Sequence, residues 1–300
     1  MYIKNYDFNN SQDFMNFIAP WNNEMSEFIF RGHSDENYEL LPVSLRSHEF
    51  EKICALSPKE STLIKTGERE SAKSLMESEL YIIREFYKLS DLNGLHVPLS
   101  PEIRRQLFQK RSYDILNFTD TFPHFEWLPE KLWELAALTQ HYGLPTRLLD
   151  WTYDAYVAAY FASCSTGNTS EGRLCIWGLN KEEIDMAKFI GDKEIPLNFI
   201  TPHYAGNSNI TAQKGLFTHF TDSINYTHIA KPDRTPLDSR LKPYIFENIY
   251  KGDEHHIFIK ITLPKSEAAS LYELLKSSGY GTARLFPGYD GVAKQLLEKR

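Results

Sequence analysis

Cysteine is scarce. Cys54, Cys164 and Cys175 are the three in 300 residues, and none stands in a C-x-x-C pair. An odd, scattered set argues against a disulfide framework and a thiolate zinc site, and fits buried thiols in a reducing compartment. Long apolar runs are missing as well. No stretch of about 18 apolar residues occurs, so no membrane span is expected. The opening MYIKNYDFNN has neither the basic segment nor the apolar stretch of a secretory leader. The expected location is therefore cytoplasmic. Positive charge is also in short supply, with a formal net charge of −7. That argues against tight binding to bulk nucleic acid or an anionic membrane, and leaves room for a local basic pocket.

Several chemical signatures are absent. There is no G-x-G-x-x-G or Walker pattern to cradle phosphate, no G-x-S-x-G elbow and no H-E-x-x-H. His255 and His256 are adjacent on a predicted strand, so their rings face opposite sides and do not share a metal. No metal cofactor is expected.

What is present is the material of a sizeable core: 42% hydrophobic residues, 14% aromatic and 24% charged. The aromatics are scattered along the chain, which suits a core better than a dedicated stacking surface. SQDFMNFIA predicts a short helix with Ser11 as its cap. EFIFRGHS predicts a strand from Glu27 to Arg31. The spacing of Met76, Leu80, Ile83 and Tyr87 predicts a long helix over about 59–89, and a basic helix follows at 101–111. LPEKLWELAALTQHYG reads as a helix begun at Pro129 and stopped at Gly143. DAYVAAYFASCS predicts a helix. GRLCIWGLN, PLNFITP, QKGLFTHF and HHIFIKITLP predict strands. SEAASLYELLKSSG reads as a helix capped by Ser266 and ended by Gly279, and a turn and short helix close the chain. The polar region near 221–243 reads as a mobile surface loop. The expected class is α+β, with a helix-rich first half and a mixed or antiparallel central sheet in the second.

Three polar clusters stand out. Arg31, Gly32, His33 and Ser34 end a predicted strand; Gly32 permits close backbone approach and Arg31 can grip a phosphate with two donors. Equally, Arg31 can simply pair with an acid such as Asp150. The second cluster is QHYGLPTRLLDWT, from Gln140 to Thr152. It sets His141, Arg147, Asp150 and Trp151 around a turn. The scaffold reading pairs Arg147 with Asp150 and puts Trp151 in the core. The third is QKGLFT, from Gln213 to Thr218, which alone carries little information.

Together and in this order these stretches resemble the FRG domain, named for a Phe-Arg-Gly that here is Phe30, Arg31 and Gly32. The likeness extends through LLPVSLR (Leu40 to Arg46), AAYFAS (Ala158 to Ser163), AQKGLFT (Ala212 to Thr218) and LFPGYDG (Leu285 to Gly291). It implies a single FRG-type domain over 1–300, with 1–26 an N-terminal helical extension and about 59–135 a helical insertion. More distantly, the layout resembles ADP-ribosyltransferases. That resemblance implies an ADP-ribosyltransferase-like core with NAD as substrate. Arg31, Gly32, His33 and Arg147 would bind the dinucleotide, with Trp151 or Tyr160 supporting the nicotinamide. Thr152 would supply the hydroxyl of a Ser-Thr-Ser-like motif. Gln213 falls near the position of the catalytic glutamate but carries no charge, so either Asp150 supplies it, with His141 helping to position the ribose or base, or the pocket binds a nucleotide without turning it over. A part in phage defence or as a toxin follows from the same likeness.

Two other functions compete. A nucleotide- or nucleic-acid-processing enzyme could use His33 and His141 as acid and base near neutral pH. A non-catalytic sensor or interaction module could use the same arginines to read a ligand. In every case the expected partner is a nucleotide-like small molecule, with a protein or nucleic acid as acceptor if a group is transferred.

Overall fold

The computed structural model describes residues 2–57, 71–97, 99–108, 124–164, 171–191, 194–225, 231–248 and 256–298. Among them lie twelve α-helices and a seven-stranded mixed sheet, so the class is α+β. The central strands Arg173–Asn180 and Phe258–Pro264 are near-continuous apolar runs covered on both faces, the pattern expected of strands buried on two sides.

The sheet runs in the order β1 (Ile3–Asp7), β9 (Phe258–Pro264), β5 (Arg173–Asn180), β2 (Phe28–His33), β4 (Leu149–Thr152), β7 (Gly215–Phe220), β6 (Leu197–Ile200). Only the β1–β9 pair is parallel. A two-stranded ribbon joins β3 (His124–Trp127) to β8 (Asp222–Asn225). Alternation along each strand sends side chains to two different cores. Phe28, Phe30, Leu174, Ile176, Ile259 and Ile261 face a layer made by helices α1 (Ser11–Phe17), α6 (Ala155–Cys164) and α10 (Ala268–Ser277). Ile29, Cys175, Trp177, Leu179 and Leu216 face the opposite layer, where α7 (Lys181–Ile190) and α9 (Leu237–Asn248) lie. A third core packs α3 (Ala72–Leu92) and α5 (Trp133–His141) against Leu148, Ile200 and Phe217. Helix α2 (Phe50–Ala55) packs against α3 in a smaller cluster with Leu41 and Leu45. The remaining helices are α4 (Pro101–Phe108), α8 (Ser208–Gln213), α11 (Thr282–Leu285) and α12 (Tyr289–Leu297).

Several expectations need correction. The sheet is not confined to the second half, because β1 and β2 come from the first thirty-three residues. Residues 1–26 are thus more than a helical extension: β1 forms an edge of the sheet. Asn10, not Ser11, caps α1, its Oδ1 accepting from Asp13 N at 2.8 Å. Ser266 does not cap α10, which starts at Ala268 behind a 3-10 turn. The segment 221–243 is not a plain loop, since it holds β8 and the start of α9. The proposed start of the long helix at 59–70, the end of the basic helix at 109–111 and His255 lie outside the described residues.

Candidate functional site

Helix α6 lies close to β2 because both surfaces are small. A Cβ added to Gly32 would meet Ala158 O at 1.9 Å and Ala162 N at 2.9 Å. The close approach that Gly32 permits is therefore to the α6 backbone. Next to it, β2 and β4 meet at one register pair, Phe30 opposite Thr152. Past that pair a side chain bridges the gap. Arg31 Nη1 donates to the Asp150 carbonyl at 2.8 Å and to Asp150 Oδ2 at 3.2 Å. A cleft of about 940 Å³ opens at this divergence, lined by residues of β2, β4, the end of α5, α6 and the α8–β7 turn.

Arg31 is firmly held. Its Nε donates to His33 Nε2 at 3.0 Å. For that bond the imidazole must be neutral at Nε2. Burial, and then the neighbouring Arg31, push the His33 pKa down to about 3, so the ring is an acceptor at neutral pH. Asp150 is held from the other side. Gln140 Nε2 donates to Asp150 Oδ1 at 2.7 Å and to Leu148 O at 2.9 Å. Thr146 Oγ1 in turn donates to Gln140 Oε1. The Asp150 side chain remains 52% exposed, so the carboxylate is both fixed and reachable. His141 ends α5 beside it. Burial lowers its pKa and the Asp150 charge partly opposes that shift.

Arg46 is a second guanidinium on the cleft wall, its Nε donating to Leu41 O at 3.3 Å. Burial and the nearby Arg31 lower its pKa, yet an arginine stays charged at neutral pH. Two guanidiniums, Arg31 and Arg46, therefore share the cleft with two carboxylates, Glu39 and Asp150, which places charge-assisted donors for an anion inside an acidic protein.

The other expected residues are placed differently. Arg147 is 5% exposed and does not reach this cleft or Asp150. Its Nε and Nη2 donate to Glu79 Oε2 at 2.8 and 2.6 Å, and its Nη1 to Asp222 Oδ2 at 2.9 Å. Trp127 Nε1 shares the same Glu79 oxygen at 2.7 Å, and Arg240 also pairs with Asp222. The scaffold role is real, but the partner is Glu79. Trp151 is buried in the core with Nε1 donating to Thr218 Oγ1 at 2.9 Å. Tyr160 points into the α10 layer, its hydroxyl 2.7 Å from Thr282 Oγ1. Neither ring is free to support a nicotinamide.

Thr152 is spent on local structure. Its Oγ1 donates to Gln213 O at 2.7 Å and accepts from Asp154 N at 3.0 Å. Asp154 then caps α6 through Tyr156 N at 3.1 Å and pairs with Lys214 Nζ at 2.9 Å. Gln213 lines the cleft, but its Nε2 is bonded to Leu285 O at 3.1 Å. The structure thus gathers Arg31, Gly32, His33, His141, Asp150, Trp151, Thr152 and Gln213 around one cleft, Trp151 as a buried part of its floor, and leaves Arg147 and Tyr160 outside it. Sequence reasoning missed Arg46 and Gln140. The signal was available, because Arg46 closes the LLPVSLR stretch and Gln140 opens QHYGLPTRLLDWT.

Among the described residues, no group of three or more His, Cys, Asp or Glu could hold a metal ion, and no helix is long and apolar enough to cross a membrane. In comparison with known proteins, the FRG domain family matches residues 93–171. That span contains Gln140, His141, Asp150 and the α6 helix of the cleft. No curated protein and no solved structure matches the chain.

Proposed function

We propose that this FRG-domain protein binds NAD in the β2–β4 cleft and acts as an ADP-ribosyltransferase-like or NAD-cleaving enzyme. The observation that carries the reading is the exposed Asp150 carboxylate fixed beside Arg31, with Arg46 on the same cleft wall. Two guanidiniums suit a diphosphate, which accepts several charge-assisted hydrogen bonds. A diphosphate would compete with Asp150 for Arg31 Nη1. Arg31 would stay anchored by His33 and by the Asp150 carbonyl, while Gln140 would keep hold of the released carboxylate.

The chemistry then follows. The bond between nicotinamide and ribose C1′ breaks, and nicotinamide leaves with the bonding pair. The ribose becomes an oxocarbenium ion, which the Asp150 carboxylate stabilises. Water or an acceptor nucleophile forms the new bond at C1′ and loses a proton. Gln213 supplies no charge to this step. A toxin or phage-defence role is compatible with consumption of NAD. Processing of nucleic acids by a histidine pair is less well supported, because burial keeps His33 neutral through the physiological range.

Binding is tested by thermal shift with NAD and with ADP-ribose. Both should raise the melting temperature of the wild-type protein and neither should raise that of Arg31→Ala. A wild-type protein indifferent to both ligands contradicts the proposal.

A further inference from the structure

A nucleotide site needs a surface for the base as well as cations for the phosphates, and neither Trp151 nor Tyr160 supplies one. Six aromatic residues line the cleft. Phe30, Trp151 and Phe217 are buried, while Phe161 and Phe286 pack against the α6 core. Tyr38 differs, being 58% exposed.

Its position is fixed by the turn that follows β2. Tyr38 N donates to Asp35 O at 3.2 Å, and Asn37 N donates to Asp35 Oδ1 at 2.9 Å. The turn is fastened to the sheet at three points. Lys265 Nζ pairs with Asp35 Oδ2 at 2.6 Å. Lys260 Nζ donates to Glu36 O at 2.7 Å, and Glu36 N donates to Arg173 O at 2.9 Å. The Tyr38 ring stands edge-on to His33, with centroids 6.1 Å apart. His33 is the same ring that anchors Arg31. An exposed aromatic face is thereby held one imidazole away from the Arg31 guanidinium.

We infer that Tyr38 is the platform on which the cleft stacks the base of its nucleotide, so that one rigid wall reads base and phosphate together. This rests on the nucleotide reading of the cleft. Stacking on a tyrosine face tolerates any flat base and does not need the hydroxyl. Because the ring is exposed and its backbone makes the turn, its removal should leave the fold intact.

Calorimetric titrations of ADP-ribose and of inorganic pyrophosphate into wild type, Tyr38→Ala and Tyr38→Phe separate base stacking from phosphate binding. Tyr38→Ala should weaken ADP-ribose about tenfold or more, leave pyrophosphate unchanged and melt like wild type. Tyr38→Phe should bind both as wild type does. Equal ADP-ribose affinity in wild type and Tyr38→Ala overturns the inference. So does a parallel loss of pyrophosphate, which would mark a general disturbance of the cleft. A wild-type protein that binds pyrophosphate but ADP-ribose no more tightly overturns the base platform and leaves the phosphate site standing. Binding of neither ligand overturns both.

Discussion

At the scale of single residues, the polar clusters divide into those that face the cleft and those that hold the frame. Arg31 and Asp150 belong to the first kind, and Arg147 to the second. Removing Arg147 would strand Glu79, which is buried beneath it. Arg147→Ala should therefore lose about 3–5 kcal/mol of stability. Urea denaturation measures this, and a loss below about 1 kcal/mol would contradict it. Gly32→Ala is a second case, because the new methyl would meet backbone that cannot rotate away. A loss of about 3 kcal/mol is expected by the same measurement.

Buried histidines give a pH dependence. His33 and His219 are both held near a pKa of about 3, chiefly by burial. Their folded-state pKa lies below the unfolded value, so the neutral ring favours the fold. That contribution is fully present above about pH 6.5, and it is lost as pH falls toward 3. Within that window each histidine removes about 1.4 kcal/mol per pH unit. The urea midpoint should fall from pH 7 to pH 5. His219→Gln should show a smaller fall, carried by the remaining buried histidines His33 and His141, and a slope equal to that of wild type would contradict the assignment.

At the scale of elements, legibility followed local pattern. Strands β5 and β9 are short apolar runs with β-branched residues, and α6 is apolar all round, so each announces itself. Edge strand β1 does not, because Lys4, Asn5 and Asp7 read as surface and the strand exists through its pairing with β9. Helix α9 was hidden by Pro243 within it, although Leu237, Leu241 and Ile245 keep a helical spacing and are buried. The join between α6 and β4 depends on Asp154, which accepts from Tyr156 N, Lys214 and Tyr280. Asp154→Ala should lose about 1–2 kcal/mol through the missing cap. A wild-type unfolding midpoint in that variant would show that the cap does not matter.

At the scale of the whole molecule, the cleft is a product of topology. Arg31 and Asp150 are 119 residues apart and meet because β2 and β4 are neighbours for one register pair only. No periodicity reveals such a divergence. The candidate residues were legible as motifs, and the pairing of Arg31 with Asp150 was one of the two readings open for that arginine; the partner of Arg147 was not legible. Arg147 and Asp150 look like partners in sequence, and the chain instead sends Arg147 inward to Glu79 on α3 and leaves Asp150 to Arg31. The same long-range placement explains why Thr152 holds a turn and why Arg46, from a separate stretch, joins the site.

In the proposed reaction a fixed, exposed carboxylate, Asp150, acts beside two guanidiniums, Arg31 and Arg46, to break the glycosidic bond of NAD. The most direct test is nicotinamide release by the purified protein, with a cell extract as a source of acceptor and Asp150→Asn as the comparison. The wild-type protein should release nicotinamide, and Asp150→Asn should do so about 100 to 1,000 times more slowly. No release by the wild type, or equal release by Asp150→Asn, would contradict the claim.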